Sequence, residues 1–224
     1  MKARNIAALA AGSLAGAWYM AYRRGRTAGS TGVERRRVLP GDDLVPEPQI
    51  VTDHSISIAA PAEDVWPWLL QMGWHRGGWY TYRWVDQLLF PDNDASAETI
   101  LPQYQDLQTG DLIPDGRPEA ECYFVVRILD RDRLMVLQST SHLPPGMAQR
   151  PGVKLNWTWT FELEPEGYHC TRFHFRSRIR LQPWWLREAY RLLLVPADYL
   201  MAGSMCQGIK RRAEALKRRV AVAS

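Results

Sequence analysis

Asn156–Pro165 reads NWTWTFELEP, and its alternation decides the fold. Trp157, Trp159, Phe161 and Leu163 fall on one side of an extended chain, with Thr158, Thr160 and Glu162 on the other. This is the period-two pattern of a half-buried strand. The turn EPEGYH (Glu164–His169) leads into CTRFHFRSRIRL, where Phe173, Phe175, Ile179 and Leu181 alternate with Arg172, His174, Arg176, Arg178 and Arg180. The two segments form a long antiparallel hairpin with one apolar and one charged face. The charged face is expected to be solvated, with Glu162 and Glu164 as cross-strand partners for the arginines.

Upstream, shorter strands are expected at Val51–Ile58, Asp111–Ile113, Glu121–Leu129 and Arg133–Ser139, the last two joined by a polar turn at Asp130–Asp132. Ala60-Pro61-Ala62 ends the first strand and opens a helix, AEDVWPWLLQMG. Its Val65, Trp66, Leu69 and Met72 share one face, and Gly73 can cap it. After Gly77-Gly78, which allow a tight turn, WYTYRWVDQLLF forms a second short helix with Tyr80, Trp84 and Leu88 on one face. At the other end of the chain, Pro183–Arg219 is helical, interrupted at Pro196. A stripe through Tyr199, Ala202, Met205, Cys206, Ile209, Ala213 and Leu216 is buried. Ala202, Gly203, Ser204 and Gly208 lie along its middle. A helical glycine costs about 1 kcal/mol relative to alanine, so either close backbone packing or space for a guest is expected there.

The order is therefore strand, two helices, a run of antiparallel strands and a long last helix. It resembles the helix-grip fold of the START-like SRPBCC superfamily, which includes polyketide cyclases/aromatases and lipid-transfer domains. LPGDDLVPEPQIVT, ISIAAPAEDVWPWLLQMGWHRGGWYTYRWVDQLL, ILPQYQDLQTGDLIP and TWTFELEP read like a bacterial branch of it, over roughly Leu39–Leu216. The most specific piece is Ala60-Pro61, Val65-Trp66-Pro67-Trp68, Gly73 and Arg76-Gly77-Gly78. The resemblance implies an α+β helix-grip domain, with a curved antiparallel sheet wrapped around the C-terminal helix and two short helices between the first and second strands. It also implies a cavity between sheet and helix. Expected cavity residues are Trp79, Tyr80, Tyr82, Trp84 and Arg76 around the glycine turn, Trp157, Trp159, Phe173 and Phe175 from the sheet, and Met205 and Ile209 from the helix.

Outside that domain, Ile6–Tyr22 carries no charge and is flanked by Lys2, Arg4, Arg23, Arg24 and Arg26. As a helix it would span about 25 Å, close to a bilayer core of ~30 Å, with Trp18, Tyr19 and Tyr22 suited to an interface. A retained single-pass anchor over 1–26 is the leading expectation. A cleaved signal peptide and a surface-lying tail are the rivals. Heavier positive charge after the segment places the domain on the cytoplasmic side. A Gly/Pro-rich linker is expected over 27–50, the folded domain over 51–219 and a tail over 220–224.

Charge separates along the chain. Met1–Arg37 holds eight Lys or Arg against one Glu and Ile209–Arg219 six against one, leaving the middle at net −8 within a total of +4. An acidic domain with basic ends does not suit nucleic acid; it suits an anionic membrane surface. Three scattered cysteines give no disulfide framework or zinc spacing. The five histidines show no metal-ligand pattern, and no nucleophile elbow or phosphate-binding glycine motif occurs. No cofactor and no metal are expected.

The leading functional expectation is membrane-tethered binding or transport of a hydrophobic small molecule (lipid, isoprenoid or polyketide-like). The alternatives are a cyclase/aromatase-type enzyme using Tyr80, Tyr82, Arg76 or His142, and a protein-interaction module with a filled core.

Overall fold

A computed structural model of the chain describes residues 2–89, 92 and 94–223, with side chains over 12–88, 92 and 94–216. The long hairpin forms as its alternation requires. Strand β5 (Lys154–Pro165) pairs with β6 (Thr171–Gln182) over their full length, and Trp157 stands opposite Ile179 and Phe161 opposite Phe175. The other strands are β1 (Ile50–Ile58), β2 (Leu112–Pro114), β3 (Tyr123–Asp130) and β4 (Leu134–Ser139). They complete one six-stranded antiparallel sheet in the order β1-β6-β5-β4-β3-β2. A register shift at Val126/Ile128 places a bulge in β3, which bends a strand and sharpens its twist.

Helix α5 (Trp184–Ala223) lies across the apolar face of the sheet and buries Ala202, Met205, Cys206, Ile209 and Ala213. Helix α3 (Ala62–Leu70) buries Val65, Trp66 and Leu69 as its spacing predicts, and packs against both α5 and β5. The arrangement is α+β and fits the helix-grip description.

Helix α5 is continuous through Pro196, where the sequence suggested a break. Proline at 196 removes the amide that would have bonded the Leu192 carbonyl one turn earlier. That carbonyl instead accepts the Trp18 indole N–H at 3.2 Å, from helix α1 (Lys2–Thr27). Further along, the α1 backbone closes on α5 so tightly that a Cβ on Gly25 would stand 2.0 Å from the Val195 carbonyl oxygen. The Trp184–Leu216 stretch of α5 is apolar and long enough to cross a membrane, and 44% of an 18-residue apolar window within it is buried in the domain. The expected anchor at Ile6–Tyr22 falls partly outside the residues whose side chains are described, and the 220–224 tail falls wholly outside them.

Two expectations are corrected on the outer face of the sheet. The 27–50 stretch is not a free linker, and the arginine row is not a solvated face. Residues 28–47 lie over the outer face and satisfy the arginines. Helix α2 (Gly32–Arg36), closed by a capping box between Thr31 and Glu34, places Glu34 on Arg172. Arg176, fully buried, donates to Asp53, Asp42 and the carbonyls of Glu34 and Arg37. Arg178 reaches the Val45 carbonyl, and Arg180 pairs with Glu47. Glu162 and Glu164, expected to serve the neighbouring strand, are taken by Arg37. A buried guanidinium stays charged, so each of its donors must find an acceptor to offset the cost of removing it from water. The composition of 28–47, rich in turn residues and acids, supplies those acceptors although it carries no strand or long-helix signal.

Candidate functional site

The inner face of the sheet is filled by rings. Trp159 packs edge-on against Trp79, Trp157, Phe161 and Phe175 at centroid separations of 5.5–6.1 Å. Phe161 stacks on Phe173 and Phe175. Trp157 and Phe124 close the group from the β3 side. Such pairs contribute about 0.5–1.5 kcal/mol each beyond the area they bury. Trp79, Trp157, Trp159, Phe173, Phe175, Met205 and Ile209 are all buried in this cluster, and none of them lines the four clefts of about 680, 330, 520 and 280 Å³. The expected cavity walls are thus packed against one another. Alternating indoles and phenyls on two adjacent strands are large enough to meet α5 directly.

The turn at Gly77-Gly78 closes as expected. Gly73 and Gly78 bridge each other, and the Gly77 amide donates to Gln71 at 2.6 Å. Arg76 lines a cleft of about 520 Å³ with Trp74, Tyr104 and Tyr123, on the side of the turn away from α5. It donates to the Met72 and Leu70 carbonyls at 2.9 Å each and covers the Tyr104 ring at 4.5 Å, so it caps α3. The second helix, α4 (Arg83–Leu89), starts later than expected. Tyr80 precedes it with a left-handed φ of 59°, a strained conformation for a non-glycine residue. Its hydroxyl is spent on the Trp68 carbonyl at 2.9 Å, and burial pushes its pKa up. Trp84 and Leu88, expected on a buried face with Tyr80, are exposed; Val85 and Asp86 are the buried pair.

Free space opens along one flank of α5. Gly208 and Gly203 divide the two outcomes expected of helical glycines. A Cβ on Gly208 would sit 1.9 Å from the Tyr80 carbonyl oxygen, so this glycine serves close backbone packing. A Cβ on Gly203 would meet nothing within 4 Å. Gly203 floors a cleft of about 330 Å³ between the end of α1, β1 and α5, with Ile56, Tyr199, Leu200 and Cys206 as its apolar wall. Through Tyr82, Ser204 and Gln207 it joins a second cleft of about 680 Å³, lined by the polar residues Asp86, Glu98, Arg211 and Arg212. In that second cleft burial pushes the Asp86 carboxyl up, against hydrogen bonds from Thr81 and Ser96. Burial pushes Arg212 down, although it pairs with Glu98 at 2.6 Å and covers the Tyr80 ring.

His54 lines the smaller cleft together with the polar residues Ser55, Ser204 and Gln207, and sequence reading missed it. It sits mid-strand on β1, is 1% exposed, and neither ring nitrogen makes a hydrogen bond. The nearest acid is Asp198 of α5, 3.5 Å from Nε2, which itself accepts the Thr52 hydroxyl at 2.6 Å. Cys206 beside it stays a thiol, its pKa pushed up to about 12 by burial and by Asp198. The imperfect alternation of VTDHSISI was the one available signal, because it puts a histidine on the face that should be apolar.

His142, a candidate of the alternative enzyme reading, is wedged between Phe124 and Trp157. Its Nδ1 meets Ser139 Oγ at 2.6 Å and its Nε2 meets Asp115 at 2.8 Å. Ser139 is buried and lines none of the four clefts, so this Ser–His–Asp chain has no open nucleophile. It ties the β4–β5 loop to the β2–β3 hairpin, and Tyr190 of α5 donates to the His142 carbonyl at 2.6 Å. Among the described residues no His, Cys, Asp and Glu side chains gather as a metal site.

No family model matches the chain, and no curated protein matches it. Solved structures similar to it include a protein of Mesorhizobium loti (13% identity, 74% of this chain and 98% of that one, TM-score 0.42). Norcoclaurine synthase of Thalictrum flavum, a point mutant in complex with a transition-state analogue, is similar at 14% identity, 75% and 96% coverage and TM-score 0.40. An aromatase/cyclase of Streptomyces sp. R1128 is similar at 14%, 76% and 95%, with TM-score 0.39.

Proposed function

We propose that this chain binds a small hydrophobic molecule bearing a hydroxyl or carbonyl group, in the cleft between β1 and α5, and that α1 tethers it to a membrane. The observation that carries the binding reading is the pairing of Gly203 with His54. A helical glycine with empty space before it weakens the helix by about 1 kcal/mol, and no packing contact offsets that loss. A buried imidazole without a hydrogen bond, its nearest acid Asp198 at 3.5 Å, costs about 1–3 kcal/mol more. An apolar guest that fills the cleft and brings an oxygen to the ring offsets both. Hiding about 200 Å² of apolar surface would contribute roughly 5 kcal/mol before binding costs. The volumes of the joined clefts lie in the range of small-molecule sites, and the exposed Leu200 leads into the smaller one from the α1 side.

The test is displacement of a solvatochromic hydrophobic probe by a panel of fatty acids, isoprenols and polycyclic phenols, with wild type and Gly203→Leu compared. Saturable displacement lost in the variant is expected. Equal displacement by both proteins would place the guest elsewhere, and no displacement from the wild type would end the binding reading.

A second reading is favoured by His54 and Asp198. An imidazole beside a carboxylate at the wall of a substrate-sized cleft is what proton transfer during a cyclisation or aromatisation needs. His54→Gln would then retain a bound substrate and lose its turnover.

A further inference from the structure

The tether proposed above, on which this inference rests, accounts for α1 but not for the first turns of α5. Trp18 meets Leu192, and further along both helices Arg24 covers the Tyr199 ring, so α1 and α5 run in the same direction. Helix α5 begins at Trp184, eight residues before Leu192. Its first turns therefore extend about 12 Å beyond the level of Trp18, towards the side from which α1 arrives. They are not covered. Trp184 is 68% and Leu193 73% exposed, and Trp185 and Leu192 are also open, beside the exposed Trp18 and Tyr19 of α1.

The geometry points to a two-helix foot: the start of α5 enters the same leaflet as α1 and holds the domain against an anionic bilayer. Charge supports a bilayer over a protein partner. Arg23, Arg24 and Arg26 follow Trp18 on α1, on the domain side of the foot, with no acid in that helix. Lys154, level with Gln182 at the sheet end where α5 starts, adds another exposed cation. The one acid in the first turns of α5, Glu188, is held by Arg187 and Arg191. Indoles at a helix start with cations around them suit the headgroup boundary. Most of the domain, Val38–Gly208, is net acidic, and an anionic surface repels it away from the arginines of α1. The Leu193 and Leu200 stripe then runs from the leaflet to the Gly203 cleft, a path along which an oily guest need not cross water.

The test uses the full chain with vesicles of phosphatidylcholine alone or mixed with phosphatidylglycerol. Sedimentation with the anionic vesicles is expected. Trp184→Ser/Trp185→Ser should weaken partitioning at least about tenfold, the scale of exposing one large apolar side chain, with its unfolding midpoint and far-UV spectrum retained. Trp184→Phe/Trp185→Phe should still partition but lose a share of the fluorescence quenching by brominated lipid. Undiminished partitioning of the serine variant, or unchanged quenching of the phenylalanine variant, overturns the foot and leaves the α1 tether standing. A wild type that stays in solution with both vesicles overturns the tether and the foot together. A wild-type dimer that the serine variant abolishes assigns the patch to a second copy and overturns the bilayer proposal.

Discussion

Substituting alanine at Gly203 and at Gly208 should change stability in opposite directions, although both glycines lie in the same helix five residues apart. At Gly203 the new methyl meets nothing within 4 Å, so the helix gains its propensity of about 1 kcal/mol with no opposing contact. At Gly208 the same methyl would lie 1.9 Å from the Tyr80 carbonyl oxygen, 2.9 Å from its carbon and 2.9 Å from its Cβ. Ordinary contact needs over an ångström more. The backbone at Tyr80 cannot yield cheaply, because it is already held at φ 59° by the Trp68 carbonyl on its hydroxyl and by Ser96 on its amide. Overpacking of this kind costs about 1–3 kcal/mol or more, which exceeds the propensity gain. Urea unfolding followed by tryptophan fluorescence should show Gly203→Ala stabilised by about 1 kcal/mol, a rise in Tm of about 2–4 °C for a domain of this size. Gly208→Ala should be destabilised by a net 1–2 kcal/mol, roughly. Equal stabilisation of both variants would mean that α5 does not approach Tyr80 as described. Destabilisation by Gly203→Ala would mean that the cleft is closed.

Replacing His54 by Leu removes a buried polar group without a hydrogen bond; the unliganded protein should gain about 1 kcal/mol, while affinity for a hydroxyl-bearing guest falls about tenfold in the displacement assay. Trp18→Phe leaves the Leu192 carbonyl without a donor, and hydrogen exchange over Tyr22–Thr27 should quicken by about fivefold, the worth of one hydrogen bond of about 1 kcal/mol. For His174, burial works against the charged ring, yet hydrogen bonding to Asp53 and the nearby Glu162 hold its proton and raise its pKa against the opposing charge of Arg176. Its contribution is therefore complete below about pH 6.5 and is lost as pH rises through the raised value; urea midpoints should fall across that window in wild type and not in His174→Gln. Glu34 shows the reverse sign: burial opposes its charge, but Arg172 and Thr31 lower its pKa to about 2. Its contribution is present above the ordinary carboxylate range and is lost as pH falls towards 2, so limited proteolysis of residues 28–47 should accelerate below about pH 4, and at neutral pH in Glu34→Gln.

The sheet was legible because its signals are periodic. Alternation at 156–165 and 170–181 set the hairpin to within two residues at each end. The spacing of Val65, Trp66, Leu69 and Met72 gave the buried face of α3. The same alternation shows which way a tryptophan points but not whether it meets a void or another ring. Trp157, Trp159, Phe173 and Phe175 do turn inward, and whether they meet a cavity depends on which rings of other segments reach them, here Trp79 and Phe124, distant in sequence. Residues 28–47 carry no long periodicity: beyond the short helix α2 and tight turns, many of their bonds go outward to arginines of β6. Pro196 predicts a helix break from local chemistry alone, but a tryptophan from α1 supplies the missing donor.

Protein-observed NMR of the full chain, titrated with the tightest-binding member of the hydrophobic panel, distinguishes the β1–α5 cleft from the sheet interior most directly. A guest in the cleft shifts the His54 ring, the Ile56 methyl groups and the Gly203 amide, while the indole N–H signals of Trp157 and Trp159 stay in place. Shifts centred on those two indoles, with His54 unmoved, would put the guest between the sheet and α5 and rule out the proposed site.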